Sequence, residues 1–236
     1  MIIPLIAALL PPFLLWLYIC LKDPRPEPVS QLFKAVLYGM LVSVPIVLVE
    51  AVFEAALANI GLTSATVVGT TAQAFLVAAI PEETFKLLAL WLILRKNPYF
   101  DEHFDGIVYA VCVGLGFAAV ENVLYVLSQE DWLSVAVARS LLAVPGHYAF
   151  AILMGYYYSL HHFVSHSDRT AALILIAPVL AHGIYDALAM SGQANPYIGG
   201  IAFLVLIYFC IRMHKFSYRK VVAQIQRDKD EENVIS

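Results

Sequence analysis

Seven long apolar stretches dominate this chain, near residues 1 to 21, 32 to 58, 65 to 94, 105 to 128, 133 to 160, 171 to 190 and 196 to 211. A helix needs about 20 residues, at about 1.5 Å each, to cross a hydrocarbon layer of about 30 Å. Inside that layer each segment must satisfy its own backbone polar groups, which selects helices. The expected fold is therefore an all-α, polytopic membrane helix bundle of about seven transmembrane helices. Residues 1–211 would form one bundle and residues 212–236 a short mixed-charge tail, read as a frayed helix. Composition agrees: 61% of the 236 residues are hydrophobic and only 14% are charged, too few to cover such a core in water. The first stretch has no Lys or Arg ahead of it and no small-x-small pattern before Lys22, so it is expected to be a retained helix. A net charge of −4 without a basic cluster in the apolar bulk argues against a nucleic-acid partner. Cys20, Cys112 and Cys210 show no CxxC spacing and are expected to be small buried hydrophobes.

The 14 Lys and Arg residues give the bundle a direction. Lys22, Arg25, Lys34, Arg95, Lys96, Arg169, Arg212, Lys215, Arg219, Lys220, Arg227 and Lys229 all fall at alternate connections or after the last stretch. The connections near residues 59 to 64, 129 to 132 and 191 to 195 have none. Basic residues collect on cytoplasmic loops, so the reading is a multi-pass plasma-membrane protein with an extracytoplasmic N-terminus and a cytoplasmic C-terminus. Lys86 and Arg139 lie inside apolar stretches. Arg139, eight residues from Asp131, is expected to snorkel to the outer interface; Glu50 and Glu54, near the outer end of the second stretch, are expected to face headgroups or water.

Ionisable groups inside a membrane are costly, and each is a functional candidate by default. Glu82, Glu83 and Lys86 lie in the third stretch, Glu121 in the fourth, His147 in the fifth, and His182 and Asp186 in the sixth. Glu82/Lys86 and His182/Asp186 are four residues apart, one helical face in each case. Pro81, Pro145 and Pro178 stand close by and allow kinks. Counted from the nearest basic-side charges, Glu82, Glu121, His147, His182 and Asp186 all come about 20 to 27 Å above that edge. Four helices thus deliver polar groups to one layer in the outer half of the membrane.

Carboxylates and imidazoles in such a layer can bind a metal, move protons or activate water. Neighbouring carboxylates can differ in proton affinity, so that one accepts a proton from water while the other orients it. Broken helices with buried carboxylates also mark ion-coupled transporters, which remain the alternative, although no inverted repeat is visible.

The series Glu82-Glu83-x-x-Lys86, Phe117-x-x-x-Glu121-Asn122, Pro145-Gly146-His147 and His182-x-x-x-Asp186 resembles the PrsW family of membrane proteases that cleave anti-sigma factors. That family is similar to the wider group of CAAX-processing and bacteriocin-processing intramembrane proteases, which usually carry His and Asn where this chain has Glu121 and Asp186. The resemblance implies an endopeptidase with Glu82 as general base, Glu83 as its partner and Lys86 orienting or neutralising the pair. Glu121 takes the place of a second water-activating group, and His182 with Asp186 that of an oxyanion-stabilising pair. His147, without an assigned counterpart, opens another arrangement: His147, His182 and Glu121 as three ligands of a zinc ion, leaving a position for water. The implied partners are the lipid bilayer and a single-span, membrane-tethered substrate such as an anti-sigma factor, cut near its extracytoplasmic face.

Overall fold

The fourth apolar stretch becomes the helix around which four of the others assemble. The computed structural model describes residues 2–235 as seven continuous helices. They are α1 (Ile2–Lys22), α2 (Val29–Asn59), α3 (residues 67–94), α4 (Asp105–Ser128), α5 (Trp132–Val164), α6 (Asp168–Ala194) and α7 (Pro196–Ile235). No strand occurs among the described residues. Six of the helices are long and apolar enough to cross a membrane. The remaining one, α3, is divided by a wide π-helical turn and carries Glu82, Glu83 and Lys86.

Helix α4 is buried on every face from Asp105 to Ala118, with α1, α2, α3 and α5 packed around it. Its glycines permit the closest of these approaches. A Cβ at Gly116 would run into the Val36 carbonyl of α2, and one at Gly39 into the Val113 carbonyl of α4. Burial of apolar side chains such as Ile107, Val111, Leu115 and Ile152 makes the main core. Helices α1, α2 and α7 instead leave Leu14, Leu41, Leu48, Phe203 and Leu204 exposed, as a surface facing hydrocarbon requires. Thr66, Asp131 and Ser167 accept the first free N–H groups of α3, α5 and α6, from Gly69, Ser134 and Thr170, the usual N-cap role of these residue types.

The prolines act without breaking the helices. Pro81 and Pro145 each follow a π-helical segment, Gln73–Ala79 and Arg139–Ala143. A wider turn accommodates the missing N–H and the bulky ring. Glu82 and Glu83 therefore occupy the first turn of the regular segment Ile80–Leu94.

The basic connections meet at one end of the bundle, where Arg25 after α1 pairs with Glu102 before α4. Residues 212–235 reach the same end. They continue α7 and dock: the Asp228 carboxylate accepts the backbone N–H groups of His103 (2.7 Å) and Phe104 (2.9 Å), and Val221 joins the main core.

Candidate active site

Opposed spacings bring the polar residues of α3, α4, α5 and α6 into one cluster. Glu82, Glu83, Lys86, His147 and His182 are all buried. Lys86 Nζ donates to Glu82 Oε2 (2.9 Å) and Glu83 Oε1 (2.8 Å) and lies 3.4 Å from His147 Nδ1. His182 Nδ1 is 2.9 Å from Glu83 Oε1 and 3.9 Å from Glu82 Oε2. The two imidazoles meet edge to face, 5.3 Å between centroids, and Phe150 stacks on His182.

Both imidazoles are held in the same way. His147 Nε2 lies 2.8 Å from Glu121 Oε2, and His182 Nε2 lies 3.2 Å from Asp186 Oδ2. An outer carboxylate on one ring nitrogen turns the other, Nδ1, inward in each case. Glu82, Glu83, His147 and His182 each offer a ligand atom within 4.8 Å of the other three. Glu121, expected as a zinc ligand, is outside that group and holds its histidine from behind.

All seven expected site residues thus come together, and two residues read as interfacial join them. Arg139 does not snorkel outward. Its Nη2 donates to Glu121 Oε2 and its Nε to Asn122 Oδ1, both at 2.6 Å, and its guanidinium lies over the Tyr125 ring. Asn122 in turn donates to the Ala8 carbonyl (2.7 Å), tying α1 to the site. The reason is register. Glu121 lies seven residues before the end of α4 and Arg139 seven after the start of α5, so a short antiparallel turn sets them level. That symmetry about the turn was the available signal. Glu50 likewise lines the cavity beside the site and does not face lipid headgroups alone.

The cavity has a volume of about 660 Å³. Glu82, Glu121, His147, His182 and Asp186 line it, and its wall continues to Glu54, Gln73 and Gln193. Those last three lie toward the ends of α2, α3 and α6 away from the basic connections. Glu83 and Lys86 are behind the wall; Glu83 Oε2 is buried without a hydrogen-bond partner. In charge terms, Glu82, Glu83, Glu121 and Asp186 face Lys86, Arg139 and two imidazoles. Two further positive charges balance the cluster, either as two imidazolium protons or as one divalent cation, since unpaired buried charges are costly.

Comparison with known proteins agrees with the geometry. Residues 27–213 match the model of the PrsW family of intramembrane metalloproteases. The chain is 34% identical to Protease PrsW of Geobacillus kaustophilus over 202 residues, 84% of each chain. It is 33% identical to Protease PrsW of Clostridioides difficile over 187 residues, 77% of this chain and 76% of the relative. It is 31% identical to Protease PrsW of Bacillus subtilis over 206 residues, 86% of this chain and 89% of the relative. No solved structure matches. These relatives are proteases, and the transporter alternative has no comparable support.

Proposed function

Because this chain belongs to the PrsW family of intramembrane metalloproteases and is a multi-pass membrane protease, we propose that Glu82 is the group that takes a proton from the attacking water. Glu82 lines the cavity, whereas its neighbour Glu83 is engaged behind the wall by Lys86 and His182. That division gives two adjacent carboxylates different tasks: Glu82 meets the substrate, and Glu83 with Lys86 fixes the orientation of the base.

The grouping of Glu82, Glu83, His147 and His182 carries the metal part of the reading. Two imidazole nitrogens and two carboxylate oxygens within 4.8 Å suit zinc in kind and in span. Glu83, His147 and His182 would hold it, leaving a coordination position for water within reach of Glu82. Glu121 and Asp186 would serve as the carboxylates behind the two histidines, with Arg139 holding Glu121. A bound zinc ion lowers the pKa of water and polarises a peptide carbonyl. Lys86 Nζ holds the two carboxylates, so its ammonium would have to turn aside for a metal to bind between them. The protein's own groups position water, accept its proton at Glu82 and exclude bulk solvent through the rings of Phe117 and Phe150 around the imidazoles.

The substrate enters from the end away from the basic connections, because the cavity wall runs to Glu54, Gln73 and Gln193 on that side. With the basic end cytoplasmic, the N-terminus is extracytoplasmic, the C-terminus cytoplasmic, and the cavity faces outward in a bacterial plasma membrane. The substrate class is a single-span, membrane-tethered protein of the anti-sigma-factor type. It is cut near the external end of its span, where backbone can be extended without stranding polar groups in lipid. The test is cleavage of tethered reporter peptides by the reconstituted protein, with the cut mapped by mass spectrometry. Glu82→Gln should abolish cleavage while the melting profile stays near that of the parent. Full activity in that variant, or a cut at the cytoplasmic end of the span, would overturn the reading.

A further inference from the structure

A second group of buried carboxylates lies at the basic end, away from the cavity. Asp105 begins α4 and Glu121 lies 16 residues further on, so the two groups are about 24 Å apart along that helix. Asp23, after α1, and Glu102, before α4, join Asp105 there. Their exposures are 7%, 5% and 0%, and one carboxylate oxygen from each lies within 4.8 Å of the others.

The hydrogen bonds leave oxygens of this group unanswered. Asp105 Oδ2 accepts the backbone N–H groups of Asp101 (3.1 Å) and Glu102 (2.7 Å), while Oδ1 is buried with no hydrogen-bond partner. Asp23 Oδ1 accepts the Arg25 N–H (3.0 Å), while Oδ2 is buried with none. Glu102 pairs with Arg25, whose side chain is 58% exposed. Glu27, which accepts the Tyr109 hydroxyl, is also within hydrogen-bonding reach of the Asp105 carboxyl and adds a fourth carboxylate. Backbone donors thus hold one oxygen of Asp105 and one of Asp23, and the group as a whole, with Arg25 as its only paired cation among the described residues, has too little positive charge.

We propose that Asp23, Glu102 and Asp105 form a binding site for one hard divalent cation of the Mg²⁺ or Ca²⁺ class. The donors are all carboxylate oxygens, with no imidazole or thiolate, which suits hard cations and disfavours zinc or copper. Ligands on opposite sides of a Ca²⁺ ion are about 4.6 to 5.2 Å apart, twice the usual Ca–O distance, so the group needs little rearrangement to close on an ion. The N–H bonds to Asp23 Oδ1 and Asp105 Oδ2 fix the two carboxylates in place, the support such a site needs. Bound there, the cation staples the connection after α1 to the start of α4. That places it beside His103 and Phe104, where Asp228 of α7 docks.

The test uses the full chain in detergent or lipid discs, stripped with EDTA and titrated separately with CaCl₂ and MgCl₂. The melting temperature should rise saturably with at least one of the two ions. Asp105→Asn and Asp23→Asn should each weaken that response at least tenfold, while His182→Ala leaves it intact. Asp23→Asn, in a connection, covers the case in which Asp105→Asn fails to fold. In EDTA at pH 8 the Asn variants should melt at or above the parent, because one of the mutually repelling carboxylates has gone. Two results would overturn the proposal. One is a melting temperature that rises on acidification but responds to neither ion, meaning the carboxylates share protons instead. The other is undiminished ion affinity in both Asn variants, meaning the ion binds elsewhere.

Discussion

Glu121→Gln separates a residue that performs chemistry from one that holds the chemistry in place. Glu121 Oε2 bridges Arg139 Nη2 at 2.6 Å and His147 Nε2 at 2.8 Å. Glutamine keeps the size and one acceptor oxygen but not the charge, and charge-assisted hydrogen bonds are about twice as strong as neutral ones. Arg139 keeps its Nε bond to Asn122, so the α4–α5 pairing should survive. Removing a carboxylate behind a ligand histidine costs about 10- to 100-fold in metal affinity or activity, or about 1.4 to 2.7 kcal/mol. A group that itself takes the proton costs about 10⁴-fold or more when neutralised. The assay is kcat/KM on a tethered reporter in liposomes, run beside the zinc content of the same preparation. Activity indistinguishable from the parent would show that Glu121 positions nothing. A loss near 10⁴-fold in a folded protein would show that it reacts directly.

Three further outcomes follow from the same geometry. Zinc binding to the metal-free protein should weaken as pH falls, because imidazole and carboxylate ligands must lose their protons to bind metal; zinc titrations between about pH 6 and 8 measure the affinity, and an affinity independent of pH contradicts the donor set. A reporter fused after Arg95 should be cytoplasmic and one near Gln129 external; the reverse would invert the side from which substrate enters. In EDTA, Asp23 should make stability fall as pH rises. Its folded-state carboxyl titrates at about 6 against an ordinary value of 3.8, mainly because of burial, so the folded state holds the proton more tightly. That contribution is present below the ordinary value and lost as pH rises through about 6. Melting curves of the parent and Asp23→Asn between pH 4 and 8 should converge toward acid and diverge toward neutral, and parallel curves would show that the shift is absent.

The helices and the members of the site were legible in the chain for related reasons. A spanning helix must be written locally, as about 20 apolar residues, and a charge within such a run stands out because lipid penalises it. Glu82, Glu83, Lys86, His147, His182 and Asp186 could therefore be named, and shared depth predicted that they meet. Arg139 was misread because depth along one helix says nothing about which way a side chain turns around it. Arg139 turns to Glu121 only because α5 packs against α4. The docked end of α7 was hidden for the same reason: Asp228 and His103 are 125 residues apart, and no local pattern announces their bond.

By itself, then, the sequence determined an all-helical membrane bundle, its run of seven helices and the identity of the ionisable residues that cluster within its apolar stretches. Each of those properties follows from the transfer of one segment between water and lipid. The tertiary structure alone decided the arrangement. Glu82 lines the cavity while Glu83 lies behind it, Glu121 and Asp186 back the histidines from outside, and Asp23 meets Asp105 at the far end. Those roles depend on distances of about 3 Å between groups on different helices, set by crossing angles, π-helical turns and close contacts at glycine. They are properties of packed pairs, and no single segment encodes them.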